Sequence, residues 1–100
     1  MKIYVDIDET ICFYEGERDY KKAIPSIKNI KKINDLFEQD NEIIYWTARA
    51  SVHKNKYQEY YNLTLIQLNN WGCKFNKLII GEKPDYDLLI CDKTKRIEEI

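Results

Sequence analysis

Four short apolar runs, separated by stretches of helical period, leave this chain few folds to choose from. The runs are Lys2-Ile3-Tyr4-Val5, Glu42-Ile43-Ile44-Tyr45-Trp46, Lys77-Leu78-Ile79-Ile80 and Asp87-Leu88-Leu89-Ile90-Cys91. Runs that are apolar throughout, rather than alternating, fit strands covered on both faces. Between the first two, Ile24, Ile27, Ile30, Ile33 and Phe37 recur at helical spacing, with Lys28, Lys31, Lys32 and Asp35 in between. That pattern predicts an amphipathic helix of about four turns, with Pro25 in the first turn, where proline is tolerated. After Thr47-Ala48-Arg49 a second helix places Tyr57, Tyr61, Leu65, Leu68 and Trp71 on one face and stops at Gly72. Residues 9–23 show no clear period and are expected to form a loop or small flap; a short fraying helix closes the chain. Strands alternating with helices predict an α/β protein, a three-layer sandwich around a mostly parallel sheet of about four strands.

With 100 residues the chain fits one domain, 1–100, with one modest core. Charged residues make up 33% and hydrophobic ones 44%, with only 3 Gly and 2 Pro, which excludes a disordered or collagen-like chain. The net charge of −1 provides no basic field to hold nucleic acid or an anionic membrane, so any phosphate recognition must be local. Cys12, Cys73 and Cys91 show no C-x-x-C spacing, which predicts reduced thiols in a cytoplasmic chain rather than a zinc site. No leader-like or membrane-spanning apolar stretch is apparent.

The chemistry is concentrated at strand ends. Asp6 and Asp8 stand one residue apart where the first strand should stop. Alternation along a strand would point both carboxylates the same way, a repulsion that a divalent cation or a shared proton would relieve. Turn chemistry is the plainer reading of either Asp alone. Asp6, Thr47, Lys83 and Asp92 each follow a different predicted strand, and ligands of open parallel sheets bind outside the carboxyl ends of the strands. At a phosphate monoester each has a job. Asp6 would attack phosphorus; Asp8, its pKa raised beside Asp6, would serve as general acid and then base. Asp6, a backbone carbonyl at Asp8 and Asp92 would hold Mg²⁺, Thr47 would donate to the phosphoryl oxygens, and Lys83 would neutralise them. Taken singly, Thr47 reads as a turn cap, Lys83 as a surface lysine and Asp92 as an N-cap.

Asp6, Asp8 and Thr10 after an apolar strand, then Thr47, then Lys83 in Gly81-Glu82-Lys83-Pro84, then Asp92, resemble the four ordered motifs of the haloacid dehalogenase superfamily of phosphohydrolases. The resemblance spans nearly the whole chain and implies a Rossmann-like core, an aspartyl-phosphate on Asp6 and dependence on Mg²⁺. Tyr45-Trp46-Thr47-Ala48-Arg49 and Gln67-Leu68-Asn69-Asn70-Trp71-Gly72-Cys73 are similar to small phosphatases of capsule or polysaccharide biosynthesis. By that resemblance the substrate is a phosphorylated sugar or a sugar-linked precursor. Related chains carry paired acids at the fourth motif where this one reads Cys91-Asp92, a difference that could weaken the metal; Cys91 itself reads better as a small buried strand residue than as a thiolate ligand.

Neither residues 9–23 nor the 47–83 interval has room for a cap domain, so the resemblance implies an open site for a large substrate, or one closed by a second copy of the chain. Thr10, Tyr14, Arg18 and Arg49 are the candidate substrate contacts, Arg49 as a grip on a second anionic group and Tyr14, Arg18 and Tyr20 through the flap. His53 reads as a solvated loop residue, and Trp46, Trp71 and the helix-face tyrosines as core. The alternatives are a polynucleotide 3′-phosphatase, disfavoured by the absent basic excess; a receiver-like phosphoacceptor, disfavoured because the acidic pair lies on the first strand; and a non-catalytic phosphate-binding relative.

Overall fold

A computed structural model of the chain describes residues 1–49, 54–81, 88–90 and 97–100. The sheet is built from β1 (Lys2–Asp6), β4 (Glu42–Thr47), β5 (Lys77–Ile80) and β6 (Leu88–Ile90), in the order β5-β4-β1-β6 with every pairing parallel. A separate antiparallel pair, β2 (Cys12–Phe13) with β3 (Ile24–Pro25), makes the flap. Two helices, α1 (Ile27–Glu38) and α2 (Tyr57–Asn70), provide the crossovers, and 3₁₀ turns lie at Tyr20–Lys22, Lys54–Lys56 and Ile97–Glu99. None of the described helices is long and apolar enough to cross a membrane.

The register explains the core. Ile3 lies beside Ile43, and Val5 lies beside Tyr45, which in turn faces Leu78. These side chains share one face and pack with Ile30 and Ile33 of α1 and Leu68 of α2 in a single buried cluster. Both described α-helices therefore cover the same face. The expected three-layer sandwich needs a helix on the other face as well, and none is found there among the described residues. The reason is topological: β1 to β4 to β5 steps twice in the same direction, and right-handed crossovers stepping the same way place their helices on one side. On the opposite face Tyr4 and Ile44 are buried against the half-buried Trp46 and Ile79.

Local chemistry sets the element ends. α1 begins at Ile27, not at Ile24, because Ser26 is its N-cap and accepts a hydrogen bond from the Asn29 amide at 3.3 Å. Ile24 and Pro25, expected in the first helical turn, instead pair with Phe13 and Cys12. α2 ends as the sequence predicts: Gly72 takes φ of +75°, and the amides of Gly72 and Cys73 donate to the carbonyls of Asn69 and Leu68, a Schellman closure. Asn34 of α1 ties that turn down, donating to the Gly72 carbonyl and accepting from the Lys74 amide. Tyr57, expected in the core, is 45% exposed and stacks on Tyr61.

Candidate functional site

Asp6 ends β1 beside Trp46, and Thr47 ends β4 beside Ile80, so the parallel register brings both to the carboxyl edge of the sheet. The Ile7 amide donates back to Asp6 Oδ1 at 2.8 Å, which orients that half-buried carboxylate. Thr47 is buried, and its Oγ1 accepts from the Arg49 amide at 3.2 Å. This is the turn-closing role available to any threonine here, and it leaves the hydroxyl hydrogen as a donor. Gly81 is drawn to the same place: its amide donates to the Thr47 carbonyl at 2.9 Å and its carbonyl accepts from Trp46 Nε1 at 3.2 Å. Lys83, Cys91, Asp92 and His53 lie outside the described residues.

After Asp6 the chain turns sharply. The Thr10 and Ile11 amides both donate to the Ile7 carbonyl, the Glu9 amide donates to the Cys12 carbonyl, and Glu9 takes φ of 65°. The turn aims the Asp8 side chain inward, where it is only 8% exposed. Arg49 meets it there as a two-pronged partner, Nε to Oδ2 at 3.2 Å and Nη2 to Oδ1 at 2.7 Å. The Tyr14 hydroxyl donates to the same Oδ1, and the Cys12 thiol lies 3.6 Å from it.

This neighbourhood reverses one expectation. Burial alone would raise the Asp8 pKa, but the hydrogen bonds and charge of Arg49, with Tyr14 adding to them, hold the carboxyl below the ordinary range. Asp8 rests as the anion, not as the raised acid that repulsion from Asp6 would create. The cost falls on its neighbours: burial and the Asp8 charge push the Cys12 thiol up to about 12 and the Tyr14 phenol well above its ordinary value.

The candidate substrate contacts fare differently. Arg49, expected as a grip on substrate, is 1% exposed, and its Nη1 donates to Thr64 Oγ1 at 3.1 Å and Gln67 Oε1 at 2.6 Å. It belongs to the interior, and the structure corrects that reading. Thr10 is also fully buried, and its hydroxyl has no hydrogen-bond partner among the described residues. Arg18 stays at the surface of the flap, its guanidinium 5.5 Å from the centroid of the Tyr14 ring and paired with Glu9 at 3.0 Å, whereas Tyr14 is half-buried with its hydroxyl turned in to Asp8. Tyr14, Tyr20 and Tyr60 follow one another edge to face along this rim.

What sequence reasoning missed is the support beneath Asp8. Thr64 and Gln67 are buried on α2, Thr64 at helical spacing with Tyr61 and Leu68 and Gln67 at the edge of that face. The available signal was one unexplained arginine two residues after Thr47, which a buried carboxylate would need as its partner.

As for a metal, no three His, Cys, Asp or Glu side chains gather into a metal-binding group among the described residues. The donors at this edge are nonetheless oxygens, which suit a hard cation. With the Asp8 carboxylate engaged by Arg49, the Asp6 carboxylate and the main-chain carbonyl of Asp8 would be the oxygens to hold such a cation.

The backbone has a counterpart among solved structures. It is similar to the crystal structure of an MCSG target from Vibrio cholerae. The match has a TM-score of 0.67 at 19% identity and covers 83% of this chain and 71% of the other. At that identity the likeness speaks for the α/β fold alone. No protein-family model matches the chain, and no curated protein does.

Proposed function

We propose that this chain is a capless phosphatase with a Rossmann-like core, of the haloacid dehalogenase type, that hydrolyses phosphate monoesters through Asp6. The observation that carries the proposal is the placement of Asp6 and Thr47 at the carboxyl ends of adjacent parallel strands, with Asp8 in the turn that follows Asp6. An Asp6 oxygen forms a bond to phosphorus as the ester P–O bond breaks, and the departing alkoxide takes its proton from Asp8, which serves here through its minor protonated form because Arg49 and Tyr14 hold it as the anion at rest. Asp8 then takes a proton from the water that attacks the aspartyl-phosphate, releasing inorganic phosphate and restoring Asp6. Thr47 donates to the phosphoryl oxygens, and Lys83, by its place in the motif order, neutralises them. Mg²⁺, held by Asp6, the Asp8 carbonyl and Asp92, supplies charge neutralisation when bound. A sugar phosphate or a sugar-linked precursor is the substrate class we favour, and a second copy of the chain would close the open site.

The low resting pKa of Asp8 favours one second reading, a phosphate-binding or phosphoacceptor protein that lacks an efficient acid. Phosphate release separates the two. The native chain, Asp6→Asn and Cys91→Asp are assayed with an aryl phosphate and a sugar-phosphate panel, with and without Mg²⁺. Mg²⁺-dependent turnover abolished in Asp6→Asn is expected. Silence in the native chain with activity in Cys91→Asp would mean a site disabled at its metal, and silence throughout would favour the binding protein.

A further inference from the structure

Arg49 heads the large side chains that are fully buried, an unusual position for an always-charged group. We propose that Arg49 is a positioning residue: its guanidinium fixes the Asp8 carboxylate at the end of β1 and locks the flap to α2. The proposal rests on the reading of Asp8 as the proton-transfer partner of Asp6.

A guanidinium has five N–H donors in a rigid fork. All of them are engaged by the protein. Nε and one Nη2 hydrogen take the two Asp8 oxygens, the other Nη2 hydrogen goes to the Tyr14 hydroxyl at 3.1 Å, and Nη1 donates to Thr64 Oγ1 and Gln67 Oε1. The clamp is itself held by the flap and α2 together. Gln67 of α2 is turned by its Nε2, which donates to the Tyr20 carbonyl of the flap. The Tyr20 ring, edge to face with Tyr60 of α2, has its centroid 4.7 Å from Arg49 Cζ. Arg49 therefore joins the first strand's turn, the flap and the second helix at one point. With its donors turned inward it offers nothing to a bound ester. Its loss should slow the chemical step while substrate affinity stays nearly unchanged.

The test is a double-mutant cycle of Arg49→Met with Asp8→Asn, read as kcat and KM on folded protein. Arg49→Lys, which keeps the charge without the fork, guards against loss of folding. Alone, Arg49→Met should lower kcat about 10²-fold, the scale of lost proton transfer, with KM within about threefold. In the Asp8→Asn background the same change should cost less than about threefold, because the residue it acts through is gone. Arg49→Lys should recover part of kcat. Equal losses in both backgrounds, or a raised KM at unchanged kcat, would overturn the proposal. A second arm is independent of turnover: the ¹⁵N-bound hydrogen at Arg49 Nε should exchange slowly in the native chain and fast in Asp8→Asn. Rapid exchange in the native chain would refute the clamp. A native chain with no turnover would overturn the phosphatase reading instead, with the exchange arm still judging the clamp.

Discussion

Asp8 shows how one neighbour decides the state of a buried carboxylate. Desolvation alone would neutralise it, yet a two-pronged guanidinium and a phenol keep it charged. Its unfolded reference is 3.8, and the folded value lies lower. A lowered pKa contributes stability that is present above the unfolded value and is lost as pH falls through the folded one. The urea midpoint of the native chain should therefore drop more steeply below about pH 4 than that of Asp8→Asn. Equal acid limbs would show that the pair is not formed in solution. Removing the Arg49 charge at pH 7 should cost about 3–5 kcal/mol, since it strands a buried anion. The same burial protects Cys12. Its thiol, at about 12 and fully covered, should resist iodoacetamide at pH 8 in the native chain and react in urea, as read by peptide mass spectrometry. The placement of Asp6 at the end of the first strand, with Asp8 just beyond it, was legible from the sequence. The sign of the Asp8 shift was not, because its cause lies 41 residues away in the chain.

At the scale of elements, the start of α1 matters to the site. Ser26 caps the helix and donates its amide to the Ile11 carbonyl at 2.8 Å, while Asn29 Nδ2 donates to the Thr10 carbonyl at 2.9 Å. The helix N-terminus thus holds the turn that carries Asp8. Ser26→Ala should destabilise the chain by about 1 kcal/mol in urea unfolding, the ordinary loss of a side-chain cap. No measurable change would mean that the main-chain bond alone secures the helix start. The helices themselves were readable from apolar period and Gly72. The start of α1 was misplaced because Ile24 fits that period while its real partner is Phe13 of the flap. The role of the buried polar pair of α2 was missed for a related reason. Thr64 falls at helical spacing with Tyr61 and Leu68, and Gln67 at the edge of that face, but spacing does not tell that a buried arginine needs both as acceptors.

Over the whole molecule, β1 and β4 are the inner strands, each paired on both sides. The flap is a two-residue ladder at the rim. Hydrogen exchange should run in that order, with amides from Ile3 to Asp6 and from Ile43 to Thr47 slowest and those around Cys12 and Ile24 faster. Equal protection would mean that the flap unfolds only with the core. The α/β class and the parallel sheet follow from apolar runs alternating with amphipathic helices, since both patterns reflect which residues must leave water. The convergence of Asp6 and Thr47 follows too, because parallel strands share a carboxyl end. Only tertiary structure decided that both described helices share one face, that Ile24 leaves the helix and that Arg49 faces Asp8 rather than a substrate. Those outcomes depend on contacts between segments far apart in the chain, whose geometry the local pattern does not carry.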